Sequence, residues 1–190
     1  MVSLLEKLVN LNKTRNIHVF LCGLRGSGKT TLLYKSLIKD WNNIHDEIEP
    51  TILYHYEELR LNGRCYGIWD FSGDSKVKDI PTYIANQLQV TAVVFVINTM
   101  EQPGSVHQEV VDRLQRLNSD DAFKLSLFVV LFNQITSDSE NRNLEEMLKT
   151  HFSDPDRFTF VTVNALQGMQ DQSWLHSLDL IYRHHKKTMK

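Results

Sequence analysis

Eight consecutive residues, Gly23-Leu24-Arg25-Gly26-Ser27-Gly28-Lys29-Thr30, satisfy the spacing G-x-x-x-x-G-K-[ST]. Those residue types in that order make a cradle for phosphate. The glycines at 23 and 28 let the chain curl until successive N–H groups face one concavity, an anion nest. A helix starting directly afterwards adds the positive end of its dipole. Lys29 is placed to reach β- and γ-phosphate oxygens as a point charge, and Thr30 to offer a hydroxyl to Mg²⁺. The pattern carries this meaning only between a buried strand and a helix. Both are legible. Ile17 to Cys22 is a short, mostly apolar run of strand formers, and Thr31 to Lys39 sets Leu32, Leu33, Leu37 and Ile38 on one side with no Gly or Pro.

The elements that must position this loop follow in alternation. Leu53 to Leu61 and Arg64 to Asp70 read as strands joined by Asn62-Gly63, a strong short hairpin signal. The second ends in Trp69-Asp70-Phe71-Ser72-Gly73. Ser75 to Leu88 reads as an irregular helix interrupted by Pro81. Thr91 to Ile97 is a continuous apolar run, the mark of a central parallel strand. Helices are expected over Gly104 to Leu117, Asn141 to Phe152 and Gln172 to His185. The second of these should face Leu144, Met147, Leu148 and Phe152 inward, and the third Trp174, Leu178 and Ile181. Strands are expected over Leu125 to Phe132 and Phe158 to Val163, and Arg183 to Lys187 reads as a solvated basic end. The fold class is therefore α/β: a mostly parallel six-stranded sheet with helices on both faces and one antiparallel hairpin strand. Ligands on such sheets sit at the carboxyl ends of the strands. The phosphate loop, Asp70, Asn133 and Asn164 all fall there.

Composition narrows the function classes. The 190 residues suit one domain, and 42% hydrophobic with 23% charged content is ordinary for a globular chain. A formal net charge of −2 gives no global attraction to nucleic acid. No run approaches the ~18 apolar residues of a membrane span, and nothing resembles a cleavable signal. Cys22 and Cys65 both fall in expected strands, so buried thiols are expected and a reducing, cytoplasmic setting fits. The eight histidines show no zinc spacing. Residues 1–14 read as a separate amphipathic helix, with Leu4, Leu5, Leu8 and Leu11 at helical spacing, ahead of a main domain at 15–190. That helix can dock on the domain or make peripheral contact with a membrane. Residue 2 is Val, which excludes N-myristoylation.

The series GLRGSGKTT, PTI, a hairpin into WDFSGD, then LFNQ and VNALQG resembles the small GTPases of the Ras superfamily, and within them the Arf and Arf-like branch. The Gly-Leu opening of the loop, Thr30-Thr31, Pro50-Thr51-Ile52, the Trp69-Asp70 pair and the N-terminal amphipathic helix carry the Arf resemblance. The resemblance implies a switch protein that binds GTP or GDP with Mg²⁺ and serves intracellular trafficking. By the same matching, the phosphates are held by Gly23, Arg25, Gly26, Ser27, Gly28, Lys29, Thr30 and Thr31. It makes Thr51 the first-switch threonine that senses the γ-phosphate, and Gly73 the glycine whose N–H meets it. Thr30, Thr51 and Asp70 (through water) are the Mg²⁺ set. Asn133 and Gln134 match the start of the guanine motif Asn-Lys-x-Asp, and Ala165 the alanine whose N–H reads the guanine oxygen. The hairpin at 53–70 matches the one that slides in Arf proteins when GTP replaces GDP. Implied partners are effectors, an exchange factor and an activating protein at the switches of a monomer, with no nucleic acid.

Three departures bear on the chemistry. The guanine motif reads Asn133-Gln134-Ile135-Thr136, so a threonine replaces the aspartate that accepts two bonds from guanine. Losing charge-assisted bonds should lower base selectivity by ~2–4 kcal/mol, about 30- to 1000-fold. Asp138 lies two residues on and substitutes only if the loop is rearranged. Asp74 stands where the family has its catalytic glutamine. An ionised carboxylate cannot donate, is shorter, and brings negative charge to the γ-phosphate, so turnover should fall below the superfamily's unaided rate, on the order of 10⁻⁴ s⁻¹. Any hydrolysis would rest on Lys29, Mg²⁺ and the loop amides. Arg25 replaces the aspartate usual in Arf loops. Two readings of it are open: a guanidinium leaning over the phosphates, or one directed to solvent that blocks an activating protein. Ser72 replaces a glycine and adds a Cβ to the second switch. Two other functions compete: a scaffold locked with, or free of, nucleotide, and an ATP-using phosphate-loop kinase. The kinase would need an arginine-rich lid, which the sequence lacks.

Overall fold

The computed structural model describes residues 16–38, 49–100, 105–134 and 142–189. Six strands form one sheet in the order β2-β3-β1-β4-β5-β6. They are β1 (Ile17–Cys22), β2 (Tyr54–Leu61), β3 (Arg64–Phe71), β4 (Ala92–Asn98), β5 (Leu127–Asn133) and β6 (Phe158–Val163). Every pairing is parallel except β2 with β3, in register from Tyr54↔Phe71 to Leu61↔Arg64. The turn between them places Asn62 (φ 50°) and Gly63 (φ 73°) both at positive φ, the hairpin geometry expected of Asn-Gly.

Five helices cover the sheet among the described residues: α1 (Lys29–Leu37), α2 (Ile80–Ala85), α3 (Ser105–Asn118), α4 (Arg142–His151) and α5 (Gln172–Thr188). The strand residues alternate between two buried clusters, as a pleated sheet requires. Phe20, Phe95 and Val130 meet α2, α3 and α4 through Ile84, Leu114 and Leu148. Val19, Val94 and Leu131 meet α1 and α5 through Leu32, Trp174 and Leu178. Central strands apolar on both faces are the reason the run Thr91 to Ile97 is unbroken.

Some expectations change. Ser75 to Leu88 is not one helix: a 3₁₀ turn at Ser75–Val77 is followed by α2, where Pro81 sits in the first turn. That is the position where a missing N–H costs nothing. Met147 is 41% exposed rather than inward. Cys22 is buried, but Cys65 only half so. The basic end is solvated at Arg183, Lys186 and Lys187, but its two histidines are half-buried and it is no frayed tail. It continues α5 to Thr188, with Leu125 O at 2.8 Å from His184 Nε2 and Thr91 Oγ1 at 3.1 Å from His185 Nδ1. The helix expected over residues 1–14, and Ile135, Thr136 and Asp138, lie outside the described residues.

Candidate functional site

The carboxyl ends of β1, β3, β5 and β6 point to one edge of the sheet, and the antiparallel β2 begins there. Five loops therefore converge. Residues 23–28 run from β1 into α1, whose N-cap is Gly28 at φ 95°, ψ 11°. A Cβ at Gly28 would stand 2.3 Å from Asn133 Nδ2. Lys29 is 5% exposed, and its Nζ donates to Leu24 O at 2.7 Å, Gly23 O at 3.2 Å and Ser27 Oγ at 3.2 Å. The loop thus wraps around its own lysine. Ser27 N–H closes it onto Leu24 O at 3.3 Å.

At the mouth of the loop three oxygen donors meet from three segments. Thr30 Oγ1 donates to Asp70 Oδ2 at 2.6 Å, and Thr51 Oγ1 donates to the same oxygen at 3.2 Å. The two hydroxyls lie 3.1 Å apart. The other carboxylate oxygen, Asp70 Oδ1, is buried with no hydrogen-bond partner. Burial raises the Asp70 carboxyl's pKa, while the Thr30 hydroxyl and the Lys29 charge act the other way. A buried carboxylate with an unused oxygen beside two hydroxyls is a donor set for a small hard cation. Among the described residues no three His, Cys, Asp or Glu cluster to hold a metal by themselves. Such an ion here would share its shell with ligand oxygens and water.

A cavity of about 470 Å³ opens beside this cluster, lined by Arg25, Gly26, Gly28, Lys29, Thr30, Thr31, Glu49, Pro50, Thr51, Ile52, Phe71, Ser72, Gly73 and Asp74. Gly73 abuts the phosphate loop: a Cβ there would lie 2.2 Å from Arg25 N. Asp74 is exposed, and its Oδ1 accepts the Lys76 N–H at 2.8 Å as the cap of the short 3₁₀ turn. One of its carboxylate oxygens is thus committed to local structure rather than to orienting a water.

Asn133 ties two further loops together. Its Nδ2 donates to Ser27 O at 3.1 Å and its Oδ1 accepts from Ala165 N at 3.0 Å. The Ala165 N–H expected to read a base oxygen is therefore already given to Asn133. Gln134 N donates to Val163 O at 2.8 Å, which fixes its backbone beside β6. Cys22 lies under the loop, but burial pushes its thiol up to about 12, so it is no nucleophile. Sequence reasoning missed Asp171. Its carboxylate caps α5 through Trp174 N at 2.9 Å and holds Asn164 N at 2.7 Å. An aspartate just before an apolar-periodic helix was the available signal.

Comparison with known proteins agrees with this arrangement. The profile of the ADP-ribosylation factor family matches residues 1–179. ADP-ribosylation factor-like protein alp41 of Schizosaccharomyces pombe is 25% identical over 169 residues, covering 86% of each chain. In fold, the chain is similar to the Arl6 BBS3 small GTPase from Trypanosoma brucei, solved with the nucleotide analogue GppNp. The TM-score is 0.72 at 18% identity, over 90% of this chain and 98% of that one. The match over nearly the whole length, on a sheet of this topology with a phosphate loop at its carboxyl edge, means that the chain belongs to the ADP-ribosylation factor family, an Arf-like branch of the Ras-superfamily GTPases.

Proposed function

We propose that this chain is an atypical Arf-like switch that binds GTP or GDP together with Mg²⁺, hydrolyses GTP slowly, and recruits effectors through its switch surfaces, residues 44–56 and 70–86. The observation that carries the reading is the meeting of Thr30, Thr51 and Asp70 at the mouth of the phosphate loop. Thr51 comes from the segment before β2 and Asp70 from β3. A ligand that spans them reports on both segments at once. Magnesium bound there would neutralise charge on the terminal phosphate oxygens. The chain's own part is to hold the phosphates with loop N–H groups and Lys29, to bring Thr51 up to the ligand, and to place Gly73 at its far end. Ile52, in the cavity lining, is 84% exposed, and Tyr83, within residues 70–86, is 54% exposed, apolar surface that a protein partner can cover. We further place the protein in the cytoplasm as a monomer, with residues 1–14 as its peripheral membrane contact.

A second reading, a nucleotide-locked or nucleotide-free scaffold, is favoured by specific features. The Ala165 N–H and the Asp74 carboxylate are both engaged internally, and Thr136 stands at the base-reading aspartate position. Identification of the nucleotide released from the purified protein, followed by titration of labelled GTP, GDP and ATP with and without Mg²⁺, separates the two. Magnesium-dependent guanine binding is expected. Absence of all nucleotide binding by a well-folded protein would leave only the scaffold.

A further inference from the structure

The geometry points to Arg25 as the chain's own cation for the terminal phosphate, in place of an arginine that another protein would supply. This rests on the switch reading above and adds one residue to it.

Arg25 lies between the two segments that a terminal phosphate must touch. Its backbone N and Cα stand 2.2 and 2.6 Å from where a Cβ on Gly73 would be, so the phosphate loop and the second switch meet at this residue. Its side chain is exposed on the rim of the 470 Å³ cavity, and among the described residues no hydrogen bond or ion pair holds its guanidinium. The other cation lining that cavity, Lys29, is wrapped by the loop's own oxygens. Against them the same lining carries two carboxylates, Glu49 and Asp74. Without Arg25, a terminal phosphate would face those carboxylates with Lys29 as the only cation of the lining among the described residues. A planar fork of five donors on a flexible stem, already at the rim, is suited to that oxygen cluster.

In the hydrolytic step, a water oxygen bonds to the γ-phosphorus as the bond to the β–γ bridging oxygen breaks. That oxygen leaves on GDP with the electron pair, and the water's protons end on phosphate and solvent. Charge builds on the bridging and γ-oxygens, where the guanidinium donates. Asp74 cannot donate a hydrogen bond there when ionised, so the cation at position 25 is the chain's substitute for the missing glutamine's donor.

The test uses the full chain and its variants Arg25→Ala and Arg25→Lys. Affinities for Mg²⁺–GDP and Mg²⁺–GppNp are measured, with formation of a GDP–aluminium fluoride complex in the absence of any partner protein, and single-turnover hydrolysis. For Arg25→Ala, GDP affinity should stay within about 3-fold and GppNp affinity should fall about 10-fold or more. The fluoride complex should form with the native chain alone, and hydrolysis should drop about 100-fold. Arg25→Lys should fall between, since it keeps charge without the fork. An unchanged GppNp-to-GDP ratio in Arg25→Ala, an equal loss for both nucleotides, or a native chain that takes no aluminium fluoride would each overturn the assignment while leaving GDP binding, and the switch reading, in place. A native chain that binds neither nucleotide would overturn both.

Discussion

A methyl group on Gly73 has no room. It would stand 2.2 Å from Arg25 N and 2.4 Å from Leu24 C, both backbone atoms of the phosphate loop. Relief requires the second switch to back away from the loop, and overpacking of this kind typically costs about 1–3 kcal/mol. Gly73→Ala should therefore weaken GppNp binding by about 5- to 100-fold and leave GDP binding nearly unchanged, because on the proposed function only the terminal phosphate uses that contact. Calorimetric titration of both nucleotides checks this; equal losses would mean that Gly73 does not read the terminal phosphate. At this scale the sequence was informative wherever a side-chain type is itself the device. Lys29 and Thr30 were legible from the spacing of the phosphate loop, Asp70 and Asn133 from their places at strand ends, and Thr51 only through the family resemblance. What stayed hidden was the partner of each group. That the Ala165 N–H goes to Asn133 Oδ1, and that Asp74 caps a 3₁₀ turn, depends on backbone positions that no residue type encodes.

Elements carry the site's geometry, and α5 shows how far from the site they are anchored. Its first turn is held to the β6 loop by Asp171, and further along Tyr66 donates its hydroxyl to Leu178 O at 3.0 Å. The tip of the β2–β3 hairpin is fixed to the same helix: Arg64 donates to Asp179 at 2.7 Å and stacks 3.7 Å over the Tyr182 ring. The helical period of α5 was readable from Trp174, Leu178 and Ile181. Its last turns were not, since Arg183 to Lys187 looks like a solvated run until the sheet's lower edge supplies partners for the two histidines. His185 is the titratable consequence. Burial, with the nearby His184 charge, depresses its pKa below the ordinary histidine value. The unfolded chain then binds the proton more readily than the folded one. The folded state keeps this contribution above an unfolded histidine pKa of about 6.5 and loses it as pH falls through the lower folded value. Urea unfolding between about pH 7 and 5 should show stability falling with pH, and His185→Gln should flatten that fall. A slope unchanged by the substitution would assign the effect to another group.

For the whole molecule, the decisive feature is where the strand order reverses. β1 lies between β3 and β4, with α1 on one face of the sheet and α3 on the other, so the phosphate loop leaves the sheet at a switch point where a crevice must open. Alternating patterns made this topology legible, because a parallel sheet with two covered faces has few ways to connect. The energetic cost of building that crevice was not legible. We assign it to Asp70, fully buried with Oδ1 unpartnered, which on the proposed function is placed for a ligand rather than for the fold. A group of this kind destabilises the free protein and repays it on binding, which gives two opposite signs to test. Asp70→Asn removes the buried charge, so the ligand-free variant should melt no lower than the native chain. Magnesium with GDP at about 100 times its dissociation constant should stabilise the native protein by about 2.7 kcal/mol. For a chain of this size that is a rise of roughly 5–10 °C in Tm. In Asp70→Asn most of the magnesium-dependent part of that rise should vanish, and chelation of magnesium should then change little. Scanning calorimetry of both proteins, with and without chelator, reads all four states. If the variant melts well below the native chain without ligand yet keeps the full magnesium-dependent rise, then Asp70 serves the fold and some other group holds the ion.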